Sequence, residues 1–199
     1  MNNKNIGLDF DNTLINYDVI FHKTAVEKGL IPESVSKNKV AVRDFLRFNG
    51  NDNQFTLLQG EVYGNKIKDA TISLGCFNAL KYLTTNGYNL YIVSHKTKTP
   101  IKGYPYDLHK AALNWLELNK FFSEDGLNIR RENVYFEESK KSKIKRIISI
   151  SCSYYIDDLI EILELIPNNI IRFHYDPQNN NNWEKGPVLN QWENINNFL

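Results

Sequence analysis

The chain has 199 residues, 42% hydrophobic and 24% charged, and its 24 basic and 23 acidic side chains leave a formal net charge of +1. That is the composition of a globular chain of one domain, or of one core domain with a modest insert. The even charge balance argues against a nucleic-acid footprint or a polybasic membrane patch. Cys76 and Cys152 are too far apart for a CxxC pair and too few for a zinc set, so a reduced, cytoplasmic setting is expected. MNNKNIGLDF lacks an apolar leader and no run approaches about 18 apolar residues, so neither a signal peptide nor a membrane span is expected.

In chain order, Ile6–Leu8 reads as a short buried strand. Ile20, Phe21, Thr24 and Ala25 then fall at helical spacing, with Gly29 placed to close that helix. Val40, Val42, Phe45 and Leu46 predict a second helix ending near Asn49–Gly50. NDNQFTLLQGEVYGNKIKDA reads as helix plus loop, and SLGCFNALKYLTTNG as a helix with Gly87 just past its end. YNLYIVS (88–94) is the clearest strand, and YDLHKAALNWLELNKFF follows as an amphipathic helix whose Asp107 and His109 read as cap and surface residues. Strands are expected at 132–138, 152–158 and 169–175, separated by the helices SKIKRIISIS and LIEILELI. Strands alternating with helices predict an α/β fold: a Rossmann-like, mostly parallel sheet with helices on both faces. The 59 residues from Ile15 to Ser73 exceed one crossover helix. The core is therefore expected at 1–14 and 74–199, with a small, mainly helical insert at 15–73. The tail, with Trp183 and Trp192, is expected to pack back on the core, and the Asn-rich tract 179–182 to form an exposed turn.

Ligands of such sheets bind beyond the carboxyl ends of the strands, and three polar clusters fall there. Asp9 and Asp11 follow the first strand, Ser94 ends YNLYIVS, and Asp157–Asp158 end CSYYI. Carboxylates meeting in one crevice require a counter-charge. A hard divalent cation supplies it, and magnesium suits a few carboxylates together with phosphate oxygens. Asp9 and Asp11 are spaced to face one phosphate, one as nucleophile and one handling a proton, with the Thr13 hydroxyl close by. Ser94 can donate to a phosphate oxygen, and Lys140, Lys141 and Lys143 in ESKKSKIK are candidates to offset anionic charge.

The run LDFDNTL resembles motif I (DxDxT) of the haloacid dehalogenase-like (HAD) superfamily, Ser94 its motif II, Lys143 its motif III, and Asp157–Asp158 the paired-acid form of its motif IV. The resemblance spans residues 6 to about 160. It implies a magnesium-dependent phosphomonoester hydrolase working through an aspartyl-phosphate on a small phosphorylated metabolite, a nucleotide monophosphate or a sugar phosphate. Asp9 would be nucleophile and metal ligand, and Asp11 general acid–base with its backbone carbonyl on the metal. Ser94 and Lys143 would bind the phosphoryl group, Asp158 would ligate magnesium, and Asp157 would ligate or orient. The insert at 15–73 matches a C1-type cap, in which Gln59 and Tyr63 are candidate substrate contacts and Gly60 and Gly64 permit tight turns. His95 and Lys96 sit beside the phosphate site in this reading, as possible contacts to an anionic substrate or as exposed loop residues.

The bland readings are helix capping for Asp157–Asp158, which is compatible with metal binding, and solvated charge for the lysines. Asp11 argues for a phosphatase over a dehalogenase, yet leaves a phosphomutase or phosphotransferase open, as well as a HAD-like scaffold that only binds. A receiver domain fits poorly, because its phospho-acceptor ends the third strand.

Overall fold

The computed structural model describes residues 4–180 and 182–199. In chain order the elements are β1 (Asn5–Leu8), β2 (Ile15–Asn16), α1 (Asp18–Glu27), α2 (Lys39–Phe48), α3 (Asp52–Tyr63), β3 (Thr71–Ile72), α4 (Cys76–Thr85), β4 (Asn89–His95), α5 (Leu108–Leu118), β5 (Val134–Glu137), α6 (Lys140–Ser149), β6 (Tyr154–Asp157), α7 (Ile160–Leu163), β7 (Ile171–Tyr175) and β8 (Val188–Leu189). Short 3-10 turns lie at Ile67–Asp69, Arg131–Asn133 and Trp192–Asn197. Asn179, Asn180 and Asn182 of the Asn-rich tract are exposed, while Asn181 lies outside the described residues.

The chain divides into two units. The first comprises the chain through Ile15, Ile72–Lys96 and Lys120–Leu199. It holds a six-stranded sheet in the order β5-β4-β1-β6-β7-β8, with every paired neighbour parallel. The sheet is a Rossmann-like α/β layer, as the alternation of apolar runs and amphipathic segments predicts. Its central strand β1 is flanked by β4 on one side and β6 on the other, so successive crossovers depart in opposite directions from β1. That is a topological switch point, where the loops diverge and leave a crevice.

The core of this unit is built from the inward faces of those elements. Val93, Ile147, Cys152, Tyr155, Ile162, Leu163, Ile166, Ile170 and Trp183 form one buried cluster. Trp192 is fully buried, with its ring 5.4 Å from that of Tyr175, so the tail packs back on the sheet and adds β8 as well, a two-residue strand that its sequence did not disclose. Both cysteines are buried and unpaired, and burial pushes both thiols up. No helix among the described residues is long and apolar enough to cross a membrane.

Gly7 has a specific cause. It pairs with Tyr155 of β6, and a Cβ at Gly7 would lie 2.5 Å from the Tyr155 ring and 2.9 Å from Cys152 Sγ. The ring passes over β1 so that the Tyr155 hydroxyl can donate to the Val93 carbonyl on β4, at 2.6 Å. Gly7→Ala is therefore expected to destabilise by about 1–3 kcal/mol, the usual cost of overpacking a filled core. A thermal melt indistinguishable from wild type would mean that the ring can leave β1 at no cost.

The second unit comprises Asn16–Thr71 together with Thr97–Asn119. Its α1, α2 and α3 pack on one another, with Phe21, Phe55, Tyr17 and Tyr63 in mutual ring contact. This differs from an insert of 15–73 alone, because α5 belongs here and not to the sheet unit. Amphipathicity shows that α5 buries one face but not against what. Its Trp115 indole donates to the Ala70 carbonyl at 3.0 Å, and Asp107 caps it by accepting from the Lys110 amide. Gly64 stands in the turn that closes α3, as expected, whereas Gly60 makes no turn. Gly60 lies inside α3, where a Cβ would come within 2.9 Å of the Lys102 carbonyl, and a Cβ at Gly64 would overlap the Tyr106 ring. Both glycines allow the 97–119 segment to approach α3 closely.

Candidate active site

Three adjacent strands deliver three of the expected clusters to one edge of the sheet. β1 ends at Leu8, and the Asp9 amide still donates to the Ile156 carbonyl of β6, at 2.9 Å. The chain then turns sharply: the Leu14 and Ile15 amides both return to the Phe10 carbonyl, and Asn12 adopts φ +60. Asparagine tolerates that left-handed conformation better than most residues. The turn leaves Asp9 buried and Asp11 partly exposed. Ser94 lies in β4, paired with Phe136 of β5, and is buried, whereas its neighbour His95 points outward and is exposed. Asp157 ends β6 and is fully buried, with Asp158 next to it half-buried.

The polar atoms converge on Asp9. Its Oδ1 accepts from Ser94 Oγ at 2.9 Å and from Lys143 Nζ at 2.5 Å. Lys143 also donates to Asp157 Oδ2 at 2.6 Å, so one ammonium joins two carboxylates that the chain separates by 148 residues. Asp157 Oδ1 accepts from the Leu159 amide at 2.9 Å, so Asp157 serves the next turn and the cluster together. Asp9, Asp157 and Asp158 can each present one oxygen within 4.8 Å of the others.

Of the three candidate lysines, only Lys143 reaches Asp9. All three lie inside α6, not before it, because Ser139 caps the helix in a capping box with Ser142. Lys143 and Ile147 share the inward face at i,i+4 spacing, while Ile148 is 48% exposed. Lys140 instead pairs with Glu161 at 2.8 Å, about half exposed, and Lys141 is exposed.

Electrostatics follow from burial. Removal from water pushes the Asp9 carboxyl up to about 7, against the opposing pull of Lys143 and with help from the Asp157 charge. Burial alone would lower Lys143, but the carboxylates of Asp9 and Asp157 outweigh it and hold its ammonium above the ordinary lysine range. One ammonium among Asp9, Asp157 and Asp158 leaves a surplus of negative charge, and every donor is a carboxylate oxygen. That set fits a hard divalent cation such as magnesium.

The Thr13 hydroxyl is fully buried and has no protein partner. Lys96 is buried and donates to both oxygens of Asp11, at 2.9 Å each, so it is not an exposed loop residue. Gln59 and Tyr63 lie in the helical unit and are half-buried, with the Tyr63 ring 4.8 Å from that of Tyr17 and 5.5 Å from Lys39 Nζ. Two contributors escaped the sequence reading. His174 of β7 is fully buried, with Nε2 3.1 Å from the Asp158 carbonyl, and Asn12 Nδ2 donates to Asp158 Oδ2 at 3.4 Å. Asn12 carried a signal, as a turn-tolerant residue between the two acids of the first motif and its threonine. His174 carried none.

A parallel sheet reversing about β1, with acids beyond β1 and β6 and a serine in β4, defines a Rossmann-like α/β protein with an acidic cluster at its switch point. Solved structures similar to it are HAD-superfamily hydrolases. A phosphoserine phosphohydrolase-like protein from Francisella tularensis superposes with a TM-score of 0.59 at 14% identity, over 98% of this chain and 99% of that one. The HAD-hydrolase YfnB from Bacillus subtilis, solved bound to magnesium, gives 0.58 at 15% identity, over 100% and 99%. A predicted phosphoglycolate phosphatase from Haemophilus somnus gives 0.54 at 14% identity, over 100% and 98%. No protein-family model matches the chain, and no curated protein matches it. At these identities the likeness establishes the fold: this chain has the fold of the HAD-superfamily hydrolases.

Proposed function

We propose that the chain is a magnesium-dependent phosphomonoester hydrolase that acts on a small phosphorylated metabolite through an aspartyl-phosphate. The observation that carries this reading is the buried convergence of Asp9, Ser94, Lys143 and Asp157 from β1, β4, α6 and β6. The fold shared with a predicted phosphoglycolate phosphatase and a phosphoserine phosphohydrolase-like protein supports it.

In this reading an Asp9 oxygen attacks phosphorus and the ester P–O bond breaks. The departing oxygen takes a proton from the Asp11 carboxyl, giving a free alcohol and an acyl phosphate on Asp9. Water then attacks the same phosphorus, Asp11 takes the water's proton, and phosphate and free Asp9 are released. Splitting one hard hydrolysis into two displacements is ordinary covalent catalysis, and proton transfer by Asp11 is worth about 10²–10⁴-fold. Ser94 and Lys143 donate to the phosphoryl oxygens, where charge builds as the bonds exchange, with the Thr13 hydroxyl as a further donor. Asp9, Asp157 and Asp158, together with the Asp11 carbonyl, would hold magnesium, which supplies positive charge for the same oxygens. The helical unit is assigned the role of a cap on its chain position, since Asn16–Thr71 is inserted between the strands that carry Asp9 and Ser94.

The purified chain is expected to hydrolyse p-nitrophenyl phosphate with magnesium and to stop on chelation, and a panel of phosphorylated metabolites would then identify the substrate. Magnesium should also raise the melting temperature, and more at about pH 7.5 than at about pH 5, because protons compete for the same carboxylates. Absence of both turnover and any magnesium-dependent shift would refute the reading.

A further inference from the structure

We propose that Lys96 is a positioning residue for Asp11: it holds the acid–base carboxylate in one orientation and does not bind the substrate phosphate. The inference rests on the hydrolase reading of Asp11. The cations are divided unequally among the acids. Lys143 serves Asp9 and Asp157, whereas Lys96 is committed to Asp11, with Nζ 2.9 Å from each of its oxygens. The Lys96 side chain is 2% exposed and that of Asp11 20%. Enclosure does not by itself separate Lys96 from Lys143, whose side chain is also 2% exposed; the difference is the partner, since Lys96 holds both oxygens of the acid–base carboxylate and Lys143 reaches the nucleophile.

The enclosure has identifiable walls. The Lys96 amide donates to the Glu137 carbonyl at 2.9 Å, continuing the β4–β5 ladder one residue past His95 and fixing the Lys96 backbone. Its Nζ lies 5.4 Å from the centre of the Phe10 ring, and that ring packs edge-on against Phe136 at 5.6 Å. Phe10 stands between Asp9 and Asp11 in sequence, so the residue that separates the two acids also flanks the ammonium that holds the second one. Strand alternation sends Ser94 and Lys96 inward and His95 outward, so a single strand end supplies a hydroxyl to Asp9 and a cation to Asp11. A general acid must meet the leaving oxygen at hydrogen-bond distance, and a misplacement of about 1 Å costs on the order of 10²-fold.

The test uses leaving-group dependence. Dinitrophenolate departs without a proton and an alkoxide does not. kcat/KM stops at the first irreversible step, in which the ester bond breaks, so it reports this difference without the hydrolysis of the acyl phosphate. In Lys96→Met, kcat/KM for an alkyl phosphate is expected to fall about 10- to 100-fold further than kcat/KM for 2,4-dinitrophenyl phosphate. Inhibition by inorganic phosphate should stay within about twofold of wild type, and Lys96→Arg should recover part of the alkyl activity. Lys96→Gln, with a melt taken beside it, serves if Lys96→Met does not fold. Equal losses on both esters, or a phosphate inhibition constant that rises in step with KM, would overturn the proposal in favour of substrate binding. Asp11→Asn is the reference. If it shows the leaving-group dependence and Lys96→Met does not, only the Lys96 assignment falls. If Asp11→Asn shows none, the acid–base reading of Asp11 falls first.

Discussion

Asp9→Asn is expected to lower phosphoester turnover by at least about four orders of magnitude without lowering the stability of the metal-free protein at neutral pH. The loss of rate follows from losing the atom that attacks phosphorus, for which the remaining binding groups cannot substitute. The retained stability follows from the charges around it. The substituted amide would still present an oxygen to Ser94 and Lys143, and Lys143 would keep Asp157 as its ionic partner at 2.6 Å. The wild-type carboxyl, pushed up to about 7 by burial, keeps its proton in the folded state at pH values where the unfolded chain, at 3.8, has released it. The folded state thus binds more protons between about pH 4 and pH 7, and the Asp9 contribution to stability declines as pH rises through that window. An amide side chain has no such dependence. The difference in melting temperature should therefore move in favour of Asp9→Asn between about pH 5 and pH 7.5, measured with chelator present. A variant with wild-type turnover would remove Asp9 as the nucleophile.

Lys143→Met should be the most damaging substitution for stability. It strips the shared cation from two buried carboxylates, and breaking a buried ion pair from one side costs about 3–5 kcal/mol. In a chain of this size that corresponds to a fall of roughly 6–20 °C in melting temperature. Magnesium is expected to restore part of the stability, since a cation at the same carboxylates offsets their charge, but not the turnover. Lys140→Met provides the contrast. Its partner Glu161 is mostly exposed, so its effect should stay within about 0.5 kcal/mol and leave hydrolysis intact. Calorimetry and turnover on the two variants would expose the reverse ranking, which would refute the assignment of Lys143.

The candidate site was legible wherever an apolar run ended in a polar residue. Asp9, Ser94 and Asp157 each lie at or next to the carboxyl end of a strand, and strands of one parallel sheet bring those ends together, so local pattern was enough to anticipate their meeting. Lys143 was harder to single out from three lysines within four positions. The deciding fact is that it shares the buried face of α6 with Ile147, which depends on where the helix starts. The burial of Lys96 was not legible, because a lysine two residues past Ser94 gives no hint that the chain will close over its side chain. The insert was visible as a span too long for one crossover, but not its alliance with Thr97–Asn119.

The parallel α/β sheet and the strand ends that carry its acids follow from local pattern, because hydrophobic periodicity and side-chain alternation are properties of neighbouring residues. Which lysine serves which carboxylate, why Gly7, Gly60 and Gly64 carry no side chain, and which unit claims α5 emerge only in the folded chain. Those outcomes depend on burial and close approach between segments far apart in the chain, and an ammonium or a Cβ meets its partner only once both segments are folded.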